Sequence, residues 1–532
     1  MHWREEQPLA QRREVHFGDR VVRCFAERPG SVWEMFAASA AKVPDQICLS
    51  GEDGEVTYAA LAERASRLAA GMADAGMKPG ERVALLMGNR FAFVEVLLAC
   101  QYLGVICVPM NPRQPAPEIA YAATQCGASA IVVEAELGAN LPAPVDIPSV
   151  RQVWSAYGDV PGASRLEDLD GTPMSPAETP EDDCAVILYT SGTTGRPKGA
   201  MLTHLGIVHS SLHFALSMDM VAGDRSLLAV PASHVTGLIA NITTALIRGA
   251  AIVFLRQFKA ADCLDLMARA EVTHTLIVPA MYNLFLRDPD FDNYDLSHWK
   301  IAGYGGAPMP EATIEEMARR APHVGLMNGY GATEGTSPTT MNPTRFAASH
   351  QDCVGLPLHC TEVAVFGEDG TELPPGTRGE IWMRGPNVIP GYWDNPEANA
   401  ANFVGGWWRS GDMGSVTEDG FIKVHDRIKD MVNRGGFKIF SIEVESQLSY
   451  HPHILESAVI GRPCEVLGER VHLVVVPKDT QASDALAEDI RAFARERLSD
   501  YKVPEVIHFR ASPLPRNANG KIIKTQLREE YA

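Results

Sequence analysis

No stretch of this 532-residue chain reaches the roughly 20 consecutive apolar residues that a membrane span needs. The longest apolar stretches, such as residues 243–255, are broken, here by Arg248 and Gly249. The chain also has no run of Lys or Arg, and its formal net charge is −19. That balance argues against nucleic acid and against an anionic membrane surface as partners. It would also repel a nucleotide at long range, so any nucleotide site must gather positive charge locally. The ten cysteines contain no Cys-x-x-Cys and no zinc-like spacing. They sit mostly in apolar contexts, as buried thiols in a reducing cytosol do. The first residues, Met1-His-Trp-Arg-Glu-Glu, are charged and lack the apolar core of a secretory signal. A cytoplasmic protein is therefore expected. Internal repeats and low-complexity segments are absent as well.

A hydrophobic content of 46% supports large cores, and the length calls for two to four units. Helical apolar spacing is present at 32–43, 57–77, 92–103, 235–247, 260–270 and 310–321. Short apolar runs predict strands at 82–87, 105–108, 128–133, 185–189, 226–230, 251–255, 273–278, 300–302 and 324–327. This alternation is that of an α/β protein with largely parallel sheets. Residues 141–180, rich in Pro, Gly and acid, read as irregular surface. After about residue 355 shorter strands and Gly/Pro/Asp turns predict a small β-rich subdomain, with strands at 362–366, 379–383 and 421–424. An α+β unit follows, with helices at 441–450 and 484–498 and strands at 457–460 and 471–476. The fold class expected is α/β, with a large N-terminal domain (1–426) and a small α+β C-terminal domain (427–532).

Directly after the predicted strand 185–189 comes Thr190-Ser191-Gly192-Thr193-Thr194-Gly195-Arg-Pro-Lys198-Gly. Glycines let backbone N–H groups turn towards an anion, hydroxyls add donors, and Lys198 adds a mobile positive charge. The loop is not a Walker A motif, because Arg196 and Pro197 separate Gly195 from Lys198. Its chemistry suits a nucleotide triphosphate. Farther on, Asn328-Gly329-Tyr330-Gly331-Ala-Thr333-Glu334 follows a predicted strand, and α/β sheets bind ligands at such strand ends. Tyr330 offers a stacking face, Thr333 a donor, and Glu334 a hard oxygen ligand suited to Mg²⁺. In Trp407-Trp-Arg-Ser-Gly-Asp412 the carboxylate can accept two hydrogen bonds from vicinal hydroxyls. His209 and His213 have the i,i+4 spacing of a metal pair, but no third ligand is evident.

Together these strings resemble the adenylate-forming superfamily: acyl-CoA synthetases, aryl-CoA ligases, beetle luciferases and peptide-synthetase adenylation domains. The resemblance runs from about residue 30 to 525. It implies ATP, Mg²⁺ and CoA as co-substrates and cofactor. Nucleotide contacts are implied at the 190–198 loop, at Gly306, Ala307 and Pro308, at 328–331, at Asp412 for ribose, and at its arginine partner Arg427. The metal ligand would be Glu334, with Thr333 beside it. Lys429, in Asp426-Arg-Ile-Lys-Asp, matches a hinge about which the C-terminal domain rotates between two half-reactions. Gly435 and Gly436 match the lining of the pantetheine channel. Lys521, in Asn-Gly-Lys521 near the C-terminus, matches a catalytic lysine. His234, Val235, Gly237, Leu238, Met281, Tyr304 and Gly305 match the walls of the acyl pocket.

No Arg or Lys occurs from 231 to 246. A second carboxylate on the substrate would want a cation there, so a monocarboxylic acid, fatty or aromatic, is expected. A zwitterionic acid stays open, since an aromatic face could hold its ammonium. The reading is an acid–thiol ligase that forms acyl-AMP and pyrophosphate, then acyl-CoA and AMP. The alternatives are a stand-alone enzyme that loads a carrier-protein thiol, a luciferase-like oxygenase, and a nucleotide-binding regulator without catalysis. A homodimer is left open.

Overall fold

The computed structural model describes residues 9–190, 196–478, 481–516 and 522–531. The chain divides into two compact units. The first holds residues 1–307, 316–363 and 383–408, and the second 308–315, 364–382 and 409–532.

Two large sheets organise the first unit. One has seven strands in the order Lys198–Thr203, Cys184–Thr190, Ile106–Met110, Arg82–Leu86, Ala130–Glu134, Gln152–Ala156, Ser164–Arg165. All its pairings are parallel except the first, which is a hairpin. Strands such as Arg82–Leu86 are buried on both faces, which explains their unbroken apolar runs. The other sheet has nine strands. Its parallel centre runs Gly325–Tyr330, Ile301–Gly305, His274–Ile277, Arg225–Leu228, Ala251–Phe254, Ile47–Gly51.

Helices pack on these sheets through faces that the sequence spacing sets. Tyr58–Asp74 starts where the Thr57 side chain accepts from the Ala60 N–H, and it buries Tyr58, Leu61, Ala65, Leu68 and Met72. Burying a leucine or methionine side chain such as these contributes about 1.5–3 kcal/mol each.

One predicted helix takes a different form. Residues 235–247 become a π-helix, Thr236–Thr243, followed by an α-helix, Thr244–Arg248. Polar side chains stabilise the wider turn. The Thr244 hydroxyl donates to the Ile239 carbonyl at 2.7 Å, and the Asn241 amide donates to the Thr236 carbonyl at 3.3 Å. Gly237 is required at its start, because a Cβ there would lie 2.2 Å from the Pro231 carbonyl oxygen. A second difference lies in residues 141–180. They contain the strand Gln152–Ala156, whose Trp154 is buried.

The second unit contains a five-stranded sheet. Ile454–Cys464 pairs with Gly468–Pro477 as a long hairpin, Val506–Phe509 adds in parallel, and Val432–Arg434 and Phe437–Ile439 complete it. The helix Asp484–Arg495 is capped by Ser483 and packs Leu486, Ile490 and Ala494 on the core with Val444, Leu448, Val459 and Leu473. The strands Trp407–Val416 and Ile422–Arg427 pair antiparallel ahead of it.

Candidate nucleotide and acyl site

Parallel strands carry their chemistry at their C-terminal ends. In the nine-stranded sheet, four adjacent strands end together. Residues 231–237 follow Arg225–Leu228, and Met281 follows His274–Ile277. Tyr304 and Gly305 close Ile301–Gly305, and Asn328, Gly329 and Tyr330 close Gly325–Tyr330. The register sets Tyr304 beside Asn328 and Gly305 beside Gly329. Those last two strand ends approach so closely that a Cβ on Gly305 would lie 2.5 Å from the Gly329 carbonyl oxygen. Thus His234, Val235, Gly237, Leu238, Met281, Tyr304 and Gly305 all lie along one sheet edge.

At that edge His234 is half-buried, and burial pushes its pKa down to about 4. The Thr236 N–H donates to Nδ1 at 3.3 Å, so the neutral ring keeps its proton on Nε2. Met281 and Tyr304 are buried. The Tyr304 phenol is raised to about 12 by burial and stays neutral. A neutral, mostly apolar wall is what an acyl group needs.

The residues that the sequence assigns to phosphate come from the other sheet. Thr190 and Lys198 form the last pair of the hairpin Cys184–Thr190/Lys198–Thr203. Ser191, Gly192, Thr193, Thr194 and Gly195 lie outside the described residues. On the outer side of the strand Lys198–Thr203 a segment not singled out by sequence, 391–393, is laid down. Ala200 bridges Tyr392, the Trp393 N–H donates to the Gly199 carbonyl at 2.7 Å, and the Met201 N–H donates to the Gly391 carbonyl at 3.2 Å.

Tyr392 ties this loop to Glu334. Its hydroxyl donates to Glu334 Oε1 at 2.9 Å. The Lys198 Nζ lies 4.8 Å from the centroid of its ring, within range of a cation–π contact. Glu334 sits in a single 3₁₀ turn, Thr333–Gly335. Beyond it Thr336 (φ 48°) and Ser337 (φ 22°) occupy the left-handed region, at a cost of about 1–3 kcal/mol each. Buried Asn387 holds that turn by donating to the Gly335 carbonyl at 2.8 Å and the Pro338 carbonyl at 3.3 Å. The Ile389 N–H donates to the Glu334 carbonyl at 2.9 Å. Strain restrained in this way is common at functional sites.

The arrangement fits a magnesium–nucleotide. One Glu334 oxygen is held by Tyr392, and the other has no hydrogen-bond partner among the described residues. Mg²⁺ is usually held by one or two carboxylates while keeping several waters. The His209/His213 pair does not fit a metal. Both rings are buried in the helix His204–Ser217. His209 donates from Nδ1 to the Leu205 carbonyl and accepts the Phe25 N–H at Nε2. Burial lowers its pKa to about 3, and its ring stacks on Phe25 with centroids 5.4 Å apart.

Most of the remaining sequence-derived residues belong to the second unit. Asp412 and Arg427 face each other across the strand pair, with Arg427 Nε 3.4 Å from Asp412 Oδ1. Burial lowers the pKa of Lys429, and its carbonyl accepts from Arg528 at 3.3 Å. Gly435 (φ 59°) and Gly436 (φ 87°) take left-handed conformations that favour glycine. The Gly435 N–H donates to the Leu467 carbonyl at 2.7 Å. Pro308 lies in this unit, while Gly306 (φ 77°) and Ala307 end the stretch 1–307 of the first. Lys521 lies outside the described residues.

Three residues of this arrangement were missed from sequence: Tyr392, Asn387 and Asn399. Asn399 clamps Tyr392 by accepting its N–H at 2.6 Å and donating to its carbonyl at 3.1 Å. The available signal was Pro390-Gly391-Tyr392-Trp393, an aromatic pair in a turn.

Comparison with known proteins identifies the family. A family model described as AMP-binding enzyme matches residues 36–393, and one described as AMP-binding enzyme C-terminal domain matches 443–521. The chain is 35% identical over 478 residues to a feruloyl-CoA synthase of Amycolatopsis sp, covering 90% of this chain and 94% of that one. It is 34% identical over 483 residues to the long-chain-fatty-acid–CoA ligase FadD13 of Mycobacterium tuberculosis, again covering 90% and 94%. Its fold matches o-succinylbenzoate CoA synthetase of Bacillus subtilis, solved with its acyl-adenylate intermediate, at a TM-score of 0.83 and 28% identity, covering 94% and 98%. The same enzyme solved with ATP and a magnesium ion gives a TM-score of 0.82 and 29% identity, covering 93% and 99%. Sequence and fold together place this chain in the AMP-binding enzyme family, among the adenylate-forming enzymes.

Proposed function

We propose that this chain is an AMP-forming acyl-CoA synthetase for a monocarboxylic acid, fatty or aromatic. One observation carries the reading: Lys198 from one sheet and Glu334 from the other are held by the same tyrosine. A cation and a metal-binding carboxylate are thereby set at one place, next to a row of neutral strand ends.

The substrate carboxylate enters along the sheet edge 231–237, 281 and 304–305, where no cation waits for a second charge. Mg²⁺ supplies charge neutralisation on the phosphates when bound, and Glu334 is the residue that would hold it. Lys198 draws the phosphates into the 190–198 loop, and Asp412 accepts from the ribose hydroxyls. The carboxylate oxygen attacks the α-phosphorus, and the bond to pyrophosphate breaks. Charge builds on the bridging oxygens in this step. The ammonium of Lys521 is the stabiliser, worth roughly 4 kcal/mol at about 4 Å with an effective dielectric near 20. The second unit then turns about Lys429, bringing Gly435 and Gly436 to the pantetheine arm. The CoA sulfur attacks the acyl carbon, and AMP leaves.

The test is pyrophosphate release across a panel of carboxylic acids, followed by thioester formation on free CoA and on a phosphopantetheinylated carrier protein. The reading expects a monocarboxylic acid and free CoA. Product on the carrier alone, or exclusive use of dicarboxylates, overturns it.

A further inference from the structure

Tyr392 meets Glu334 through its hydroxyl and Lys198 through its ring face. It is 3% exposed and fixed on all sides. Its backbone is clamped by Asn399 and bridged to Ala200. Its ring packs against Phe403, with centroids 5.8 Å apart. The residues just before it are anchored from the N-terminal hairpin, where Arg20 donates to the Ile389 and Pro390 carbonyls at 2.8 and 2.7 Å. Its hydroxyl is the donor to Glu334 Oε1. Among the described residues the side chains of Lys198 and Glu334 engage Tyr392 and no ion-pair partner.

That combination is informative. A flexible ammonium and a carboxylate in one site attract each other, and once paired both are spent. A neutral ring that engages the cation on its face and the anion at its hydroxyl keeps each available. We propose that Tyr392 is a positioning residue that holds Glu334 and Lys198 apart and aimed, so that the site receives a magnesium–nucleoside triphosphate without first breaking an internal salt bridge. The proposal rests on the reading of Glu334 as the metal-side carboxylate and of Lys198 as the phosphate-side cation.

The probe is α,β-methylene-ATP, whose binding is measured by calorimetry with saturating Mg²⁺ and again with EDTA. The ratio of the two dissociation constants is the gain due to magnesium. In Tyr392→Phe the ring face is kept and the hydroxyl lost. The magnesium gain should fall about tenfold, the low end expected for a hydrogen bond to a charged group, while affinity in EDTA stays at the wild-type value. Tyr392→Leu also removes the ring face, and affinity in EDTA should weaken by at least about two- to fivefold, the range of an exposed cation–π contact and a lower bound for a buried ring. Glu334→Gln should lose the magnesium gain.

The outcomes separate the two claims. If Glu334→Gln keeps the full gain, the reading of Glu334 is wrong. If Glu334→Gln loses the gain but Tyr392→Phe keeps it, the role assigned to Tyr392 is wrong. Should Tyr392→Phe fail to fold, 3-fluorotyrosine at position 392 tests the same bond with every atom in place. Its fluorine resonance must then shift on adding Mg²⁺ to the nucleotide complex, and an unmoved resonance overturns the proposal.

Discussion

Gly237→Ala tests the proposed acyl pocket separately from the proposed nucleotide site. In the folded chain a Cβ at this position would lie 2.2 Å from the Pro231 carbonyl oxygen and 2.8 Å from its carbon. A tolerable carbon–oxygen approach is about 3.3 Å, so either the turn 231–234 or the start of the π-helix must move by roughly 1 Å. Both parts are packed: Ala232, Val235 and Leu238 are buried. Such overpacking typically costs about 1–3 kcal/mol, and a thermal melt should fall by several degrees. The same turn carries His234, whose N–H donates to the Pro231 carbonyl at 3.0 Å. Displacing a substrate-positioning group by about 1 Å can cost about a hundredfold in rate. The expected result is a large loss in kcat/KM for the carboxylic acid, read as acyl-adenylate formation, with an unchanged dissociation constant for α,β-methylene-ATP. A Gly237→Ala protein with wild-type KM and kcat for its acid would refute the placement of the acyl group along this sheet edge.

Two further predictions concern other parts of the chain. His209 is buried neutral with a pKa near 3, against an ordinary value of 6.5. Its folded pKa lies below its unfolded one, so its stabilising effect is complete above about pH 6.5 and is lost as pH falls towards 3. Between pH 7 and pH 5 the loss is about 2 kcal/mol. His209→Gln should lower stability at pH 7 yet flatten the fall in melting temperature between those two pH values, and an unaltered slope would contradict this. Lys521→Ala should reduce acyl-adenylate formation by about a hundredfold or more while ATP binding is retained, and stopped-flow adenylation at the wild-type rate would remove Lys521 from the mechanism.

Much of this was legible because the physics is local. Unbroken apolar runs between glycines, such as 82–86 and 130–134, become strands buried on both faces. Amphipathic stretches such as 32–42 and 484–495 become helices with serine caps. The π-helix was not legible, since its residues have ordinary helical spacing and the wider turn depends on Thr244, Asn241 and the strands they meet. The hairpin Gln11–His16/Arg20–Phe25 was missed because its alternating charges look solvated. In the fold two of them are paired: Glu14 meets Arg28, which also reaches Glu181, and His16 meets Asp182. Sequence motifs named Lys198 and Glu334, each from its own loop. They could not name Tyr392, because its importance lies in a contact between two loops distant in sequence.

The most direct measurement is a crystal structure with α,β-methylene-ATP and Mg²⁺. A magnesium ion is expected about 2.1 Å from a Glu334 oxygen, with Lys198 in contact with the phosphates and the Tyr392 hydroxyl still bonded to Glu334. A nucleotide whose phosphates lie away from Lys198 and whose metal is held without Glu334 would contradict this arrangement.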